Sequence, residues 1–139
     1  MNAIEQYLSG AVEYEALSNA EKCAICAAME GRFPFPNPGY PEYGMWLRHR
    51  GEKLQEWPCK CDDYLNDGTA ALRLVERFRI DLCPAIRIDD MSEGWGAGFV
   101  HSSIVGAEVE TSYADTVSAA IVAAVCALAR AQYPYKVNA

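Results

Sequence analysis

The feature that most constrains the fold is an apolar stretch near the end of the chain, residues 115–132. Between Val117 and Ala129 the only polar side chain is Ser118, so a helix formed here is apolar on nearly every face. Such a helix is either a buried core element or a membrane span. A helix needs about 20 apolar residues to cross a bilayer, and this apolar run is well short of that length. We therefore predict a buried, alanine-rich core helix, with Asp115 capping its first turn.

Further helices are indicated by capping residues and apolar spacing. Ser18 followed by Glu21 forms a capping box, which predicts a helix over residues 19–30. Asn66 or Asp67 is placed to cap another helix, and a short amphipathic helix is expected at the start of the chain. The apolar positions at helical spacing are Ile4, Tyr7 and Leu8 in the first helix, and Ala71, Leu74, Val75 and Phe78 in the helix after Asp67.

Strand patterns occupy the region before the terminal helix. Residues 83–89, 95–101 and 104–110 each alternate between two kinds of side chain, as half-buried strands do. Short polar connections between them predict an antiparallel meander. On these patterns Cys83 and Cys126 are expected to face the core. The predicted fold class is α+β: a three-stranded antiparallel meander packed with helices and a buried C-terminal helix.

Length and charge limit the function. The 139 residues fit a single domain over 1–139, and no internal repeat is evident. The net charge of −7 argues against direct nucleic-acid binding, which requires a basic surface, and is compatible with a basic protein partner. The start of the chain lacks the basic and apolar regions of a signal peptide, so we expect a cytoplasmic protein.

A proline- and aromatic-rich insert spans residues 32–57. Four prolines in residues 32–44 disfavour helix and central strand and favour extended, polyproline-like backbone. Residues 45–57 fit either a helix or a hairpin that turns at Gly51. The aromatic side chains either hold the insert on the core or form a rigid surface that docks a partner. The candidate partner-binding residues are Phe35, Tyr40, Tyr43 and Trp46.

Two segments carry a resemblance to a known family. The run D-Y-L-N-D-G-T-A-A-L-R-L-V-E-R-F and the closing run E-T-S-Y-A-D-T-V-S-A-A-I-V-A-A-V-C-A-L resemble small phage proteins with an ABA-sandwich domain. The segment A-E-K-C-A-I-C-A-A-M-E-G-R-F is similar to the opening helix of that family. The resemblance implies a phage or prophage accessory protein, and it transfers no catalytic residue.

Six cysteines raise the question of a metal. Cys23 and Cys26 with Cys59 and Cys61 could supply four thiolates to zinc. The first pair, however, lies among alanines on a predicted core helix, where cysteine behaves as a small hydrophobic residue. The second pair is separated by one residue, whereas zinc knuckles use two to four. We therefore predict buried thiols and no bound metal, with a zinc-stabilised module as an alternative.

Catalysis has little support in the sequence. The chain has only His49 and His101 as histidines, and it lacks a P-loop and the motifs of serine hydrolases and zinc proteases. We predict a non-enzymatic phage protein that needs no cofactor. It is expected to inhibit a host defence complex by docking on it, as anti-CRISPR proteins do. We expect it to act in the bacterial cytoplasm and not at the membrane. An alternative is a protein that sequesters a nucleotide immune signal. Its candidate residues are Tyr43, Trp46, Arg48 and Arg50.

Overall fold

A computed structural model describes residues 3–30, 32–36, 45–49, 59–60, 62–86, 90–100 and 109–132; for Ala28 and the first three strands it describes the backbone alone. The helices are α1 (Ala3–Leu8), α2 (Asn19–Met29), α3 (Gly68–Phe78) and α4 (Val117–Gln132), with a 3₁₀ turn at Tyr14–Ala16. The strands are β1 (Arg32–Pro36), β2 (Met45–His49), β3 (Cys59–Lys60), β4 (Ile80–Ile86), β5 (Glu93–Phe99) and β6 (Ser112–Ala114).

The predicted α+β class is confirmed. The described strands form two antiparallel sheets of three strands, in the orders β1-β2-β3 and β4-β5-β6. Helix α4 packs against α2 and α3 and lies on strands β5 and β6. Strands β1 and β2 of the first sheet contact α2. The core therefore lies between α4, α2 and the sheet β4-β5-β6.

The predicted meander is correct in its first two strands and wrong in its third. The first strand begins at Ile80, three residues before the predicted start, and the second, Glu93–Phe99, contains the first five residues of the predicted segment 95–101. The third strand of this sheet is Ser112–Ala114. Most of the predicted strand 104–110 lies outside the described residues, and its last two residues belong to no strand. Alternation alone did not indicate which apolar run pairs with β5.

The proline-rich insert begins as a β-strand, which corrects the expected polyproline-like conformation for residues 32–36. Strand β1 pairs with β2 and is an edge strand of its sheet. An edge position tolerates proline because one side of the strand needs no N–H donor. The hairpin alternative is favoured for residues 45–49, which form strand β2. The proposed turn at Gly51 lies outside the described residues.

The terminal helix forms the centre of the core, as predicted. Eight of its side chains are buried, more than in any other described element. Ile121, Val125 and Leu128 are at most 1% exposed. The predicted cap is wrong, because Thr116 rather than Asp115 accepts the hydrogen bond from the Ala119 amide, at 3.1 Å. The threonine hydroxyl is one residue nearer to the helix and therefore reaches the first free N–H groups.

The caps of α2 and α3 agree with the sequence. Ser18 and Glu21 exchange the two hydrogen bonds of a capping box, at 2.8 and 3.2 Å. The Asp67 carboxylate accepts hydrogen bonds from the amides of Thr69 and Ala70. Both caps depend on residues within one turn of each other, which is why short sequence patterns identify them.

A polar cluster joins the end of α2 to the chain before α3. Arg73 donates two hydrogen bonds to Glu30, both at 3.2 Å, and one to Asp62 at 2.6 Å. The hydroxyl of the fully buried Tyr64 donates to the same Glu30 carboxylate at 2.5 Å. Hydrogen bonding to Glu30 raises the pKa of Arg73 above its ordinary range. The guanidinium therefore stays charged and fixes both carboxylates.

Candidate ligand-binding groove

One face of α4 remains partly open and forms the floor of a groove. Ala119, Ala123 and Ala127 follow each other at intervals of four residues and so share one helix face. All three are half-buried, whereas Ala120 and Ala124 are fully buried. Since alanine carries only a methyl group, this face leaves space above it. The groove above these alanines has a volume of about 710 Å³.

Two tyrosines form one wall of the groove. The rings of Tyr7 and Tyr14 meet edge to face, with centroids 6.1 Å apart. The Lys22 ammonium lies 4.4 Å from the centre of the Tyr14 ring, and the Arg130 guanidinium lies 4.9 Å from that of Tyr7. Both distances are within the range of cation–π attraction. Arg130 also pairs with Glu13 at 3.7 Å. These contacts hold the wall against α4.

The tyrosine hydroxyls remain neutral at physiological pH. Burial raises the pKa of Tyr7 and of Tyr14 well above the ordinary value of 10.0. For Tyr7 the nearby Arg130 lowers the pKa and offsets part of that shift. Neutral phenols can donate and accept hydrogen bonds but do not act as bases near pH 7. The two tyrosines therefore provide no proton acceptor near pH 7, and Tyr14 is the more accessible of them, since Tyr7 is only 2% exposed.

The opposite wall is formed by residues 112–116, which lead directly into α4. Tyr113 is 62% exposed, and its ring edge lies 3.2 Å from the position that a Cβ atom on Gly96 would occupy, on the face of the sheet that carries the Cys83 thiol rather than on the face towards α4. The glycine thus lets the ring lie close to the backbone of β5. Thr116 caps α4 at this end of the groove. The wall and the floor are therefore continuous through the first turn of the helix.

The charges around the groove are unequal. Lys22 is the cation of the lining, and Glu15 and Asp115 are its carboxylates. Within the described ranges no carboxylate forms an ion pair with Lys22. Asn19 and Asn66 add side-chain amides, and Asn66 also donates to Asp63 at 2.8 Å. The groove thus combines an apolar floor, aromatic and amide edges, and a cation without a paired carboxylate.

A second hollow lies beside the turn between β4 and β5. It has a volume of about 720 Å³ and is lined by residues that include Pro84, Trp95 and Asp115. Ile86 and Met91, near the same end of the hairpin, are 59% and 70% exposed. Among the described residues of this lining the charged side chains are the carboxylates of Glu93 and Asp115, so the hollow has fewer kinds of group that could orient a small molecule than the groove on α4.

The predicted docking residues are only partly described. Strands β1 and β2 place Phe35 directly opposite Trp46 in the antiparallel register. Tyr40 and Tyr43 lie outside the described residues. The same holds for Arg50 of the predicted nucleotide site, whereas Arg48 lies in β2 opposite Phe33. The structure thus brings two of the four docking residues together on neighbouring strands.

The cysteines divide into buried and exposed. Cys23, Cys26 and Cys126 are buried, as predicted, and burial raises the pKa of Cys23, which disfavours the thiolate form. The expectation that Cys83 faces the core is wrong, because its side chain is exposed on the side of the sheet away from α4. On this face of the sheet Cys83 lies opposite a glycine of β5, and two further glycines of β5 flank that one. No β5 side chain therefore covers the cysteine.

No group of three or more potential metal ligands occurs among the described residues. The four-cysteine zinc hypothesis is not decided by this finding, because Cys61 lies outside those residues and Cys59 is described by its backbone alone. No helix in the described part of the chain has the length and apolar character needed to cross a membrane.

No protein-family model, curated protein or solved structure matches this chain. Sequence reasoning missed the groove altogether. The available signal was the spacing of Ala119, Ala123 and Ala127, with tyrosines at positions 7 and 14, seven residues apart. That signal predicts a shared helix face but not whether another element covers it.

Proposed function

We propose that this chain is a non-enzymatic, phage-encoded binding protein that interferes with a host defence system, and that the groove on α4 holds a small molecule. The observation that carries the proposal is the groove itself, with its alanine floor and tyrosine wall. Its volume of about 710 Å³ falls within the roughly 300–1,000 Å³ of ligand pockets. The concave site therefore supports binding of a small molecule, and not only docking on another protein.

The composition of the groove favours binding over catalysis. Covalent or acid–base chemistry needs a nucleophile within reach of a base with a suitable pKa. No histidine or cysteine is among the described residues that line the groove. Its tyrosines are held neutral, and the Thr116 hydroxyl already accepts a hydrogen bond from Ala119. These groups, together with the Glu15 and Asp115 carboxylates, can orient a ligand, and we propose that they bind it without transforming it.

The biological setting comes from the resemblance to phage proteins of the ABA-sandwich type. A phage protein that binds a small molecule without changing it would act by removing that molecule from a host pathway. Sequestration of a nucleotide immune signal is such a role, and it needs a site for a planar base. We propose that this site is the groove; the alternative set from the sequence, which includes Arg48 and Arg50, lies partly outside the described residues.

The test compares two alanine positions on the same helix. Ala123→Leu fills the groove floor, whereas Ala131→Leu adds the same bulk at an exposed position outside the lining. Each protein is purified from the bacterial host, denatured, and its released small molecules are identified by mass spectrometry. Saturation-transfer NMR with planar aromatic compounds tests the same variants directly.

We expect the parent chain and Ala131→Leu to carry or bind the same compound and Ala123→Leu to lose it. Equal binding by all three proteins would move the site elsewhere. Failure of the parent chain in both measurements would refute small-molecule binding. A thermal melt of each variant separates lost binding from lost folding.

Docking on a host protein complex is a second candidate, supported by the pairing of Phe35 with Trp46 on adjacent strands. Interface energy concentrates in a few aromatic anchors, and the acidic chain would steer towards a basic partner. Phe35→Ala combined with Tyr40→Ala should weaken capture of that partner by at least about tenfold, or about 1.4 kcal/mol, with little change in melting temperature. Lost stability with retained capture would assign these rings to packing.

A further inference from the structure

The core-bearing face of the sheet β4-β5-β6 continues past the core and ends in exposed apolar side chains near the turn between β4 and β5. We propose that this part of the molecule, the hairpin end, docks on a partner protein that presents apolar side chains among basic ones. The hairpin end consists of Pro84, Ile86, Met91 and Trp95. This inference does not depend on the small-molecule site, because the described linings of the groove and of the hollow share only Asp115.

Exposure rises steadily along β4 towards the turn. Alternate residues of a strand share one face, and on this face Ile80 is 6% exposed and Leu82 packs against the core. Pro84 and Ile86 continue the same face and are exposed, Ile86 by 59%. The partly buried Trp95 lies directly opposite Pro84 on β5. Single exposed apolar residues are ordinary on a protein surface, whereas a contiguous group of them is typical of an interaction site.

The exposed side chains surround a concave space. Pro84, Ile86 and Trp95 all line the hollow of about 720 Å³ beside the turn. Protein interfaces concentrate their binding energy where an apolar or aromatic side chain of one partner fills such a hollow in the other. The two paired strands fix the positions of Pro84 and Trp95, so the hollow is formed before a partner arrives.

Met91 adds a backbone conformation that favours glycine. Its φ is +59°, and its side chain is 70% exposed. The Asp90 carboxylate accepts hydrogen bonds from the amide and the hydroxyl of Ser92, at 2.9 and 2.7 Å, and so fixes the turn around Met91. Arg79 has a similar φ of +54°, but it ends helix α3, where this conformation is common. A strained, exposed methionine is typical of a functional position, and its flexible thioether adapts to a binding partner.

The charge of the hairpin end favours a basic partner over a second copy of this chain. Residues 86–95 contain three carboxylates and one arginine, and the chain carries a net charge of −7. Glu93 lines the hollow and lies opposite Ile86. Two copies would bring like charges together, whereas a basic segment is attracted and associates in a salt-sensitive manner. Apolar side chains of that segment would then enter the hollow.

Synthetic peptides of equal length test this chemistry. Three fluorescein-labelled peptides alternate lysine with leucine, glutamate with leucine, and lysine with serine, and fluorescence anisotropy measures their binding to the full chain. We expect the lysine–leucine peptide to bind at least about tenfold more tightly than either of the others. Its affinity should fall as salt is added.

Variants locate the binding at the hairpin end. Met91→Gly removes the side chain and suits the positive φ, so it should melt at the same temperature as the parent chain or higher and bind the lysine–leucine peptide at least about tenfold more weakly. Ile86→Ser should also weaken binding. Leu72→Ser is the matched control, because Leu72 is 58% exposed on α3, and it should bind as the parent chain does.

Three results would overturn the inference: equal affinity for the three peptides, no binding of any of them, or unchanged affinity in Met91→Gly and Ile86→Ser. A lower melting temperature of Met91→Gly would show that this side chain supports the fold instead of a partner. Sedimentation at increasing protein concentration tests the other occupant, since a dimer that Ile86→Ser disrupts would assign the surface to a second copy. These outcomes leave the groove on α4 untouched, because Ala123→Leu tests that site separately.

Discussion

Helix α4 has two faces made of similar residues in different surroundings. On one face Ala120 and Ala124 are fully buried beside Ile121 and Val125. On the other, Ala119, Ala123 and Ala127 are half-buried and line the groove. Small side chains allow close packing where another element covers the helix, and they leave an open groove where none of the described elements does. The same residue type therefore stabilises the core on one face and shapes a site on the other.

The largest effect should come from a charge placed on the two faces in turn. Ala124→Asp buries a carboxylate in the core without a partner, which we expect to lower the free energy of unfolding by about 3–5 kcal/mol. Ala123→Asp places the same group in the groove, where water reaches it, and should cost far less. Urea denaturation of both variants measures the difference. Equal losses would mean that the groove face is packed like the core.

The next effect concerns the wall of the groove. A Cβ atom on Gly94 would lie 2.8 Å from the Ala114 carbonyl oxygen, in the strand that forms the wall. Because backbone must move to relieve this contact, Gly94→Ala should cost about 1–3 kcal/mol. Gly68→Ala is the control, since open space surrounds that position. If Gly94→Ala melts like the parent chain, the wall yields more readily than the core, and the groove is adaptable.

A smaller effect should come from the cap that both faces of α4 share. Thr116→Ala removes the acceptor for the Ala119 amide and should lower stability by about 1 kcal/mol. Thr116→Ser retains the hydroxyl and should lose much less. Hydrogen exchange at the first turn of α4 locates the loss. If Thr116→Ala is as stable as Thr116→Ser, the helix start is fixed by packing on the core face rather than by its cap.

The smallest effect is the pH dependence of the tyrosine wall. Burial raises the pKa of Tyr14 in the folded chain, whereas the unfolded chain ionises near the ordinary 10.0. The folded state then retains a proton that the unfolded state loses, so stability is present below pH 10 and declines as the pH rises above it. Tyr14→Phe should reduce that decline by up to about 1 kcal/mol between pH 9 and 11. Tyr7, whose pKa is also raised, accounts for a further part of the decline. Urea denaturation in a reducing buffer at both pH values measures it, and an unchanged decline would place the Tyr14 hydroxyl in water.

Local patterns predicted most of the helices. The capping pair Ser18 and Glu21 and the cap Asp67 act within one turn, so neighbouring residues in the sequence contain the whole interaction. The apolar run of α4 predicted its burial for a similar reason, because a helix without a polar face has few alternatives.

The parts that were wrong or missed depend on distant partners. Strand β1 forms because Arg32–Pro36 pairs with Met45–His49, and a polyproline-like conformation was expected there because the partner strand could not be identified from the local sequence. Cys83 is exposed because the strand opposite has glycines where side chains would cover it. The groove was missed because alanine looks the same in sequence whether a neighbour covers it or not. Whether an alanine of α4 is buried depends on the positions of the 3₁₀ turn, α2 and β6.

The polar cluster around Arg73 has a consequence for how this chain tolerates changes in length. Glu30 and Asp62 bound the stretch 31–61, and one guanidinium holds both of them. The two ends of that stretch are therefore fixed to each other by the rest of the fold. The entropy of closing such a loop changes by only about 0.6 kcal/mol for each doubling of its length. A relative could therefore carry shorter or longer sequence between the strands of this stretch and still fold around the same helix.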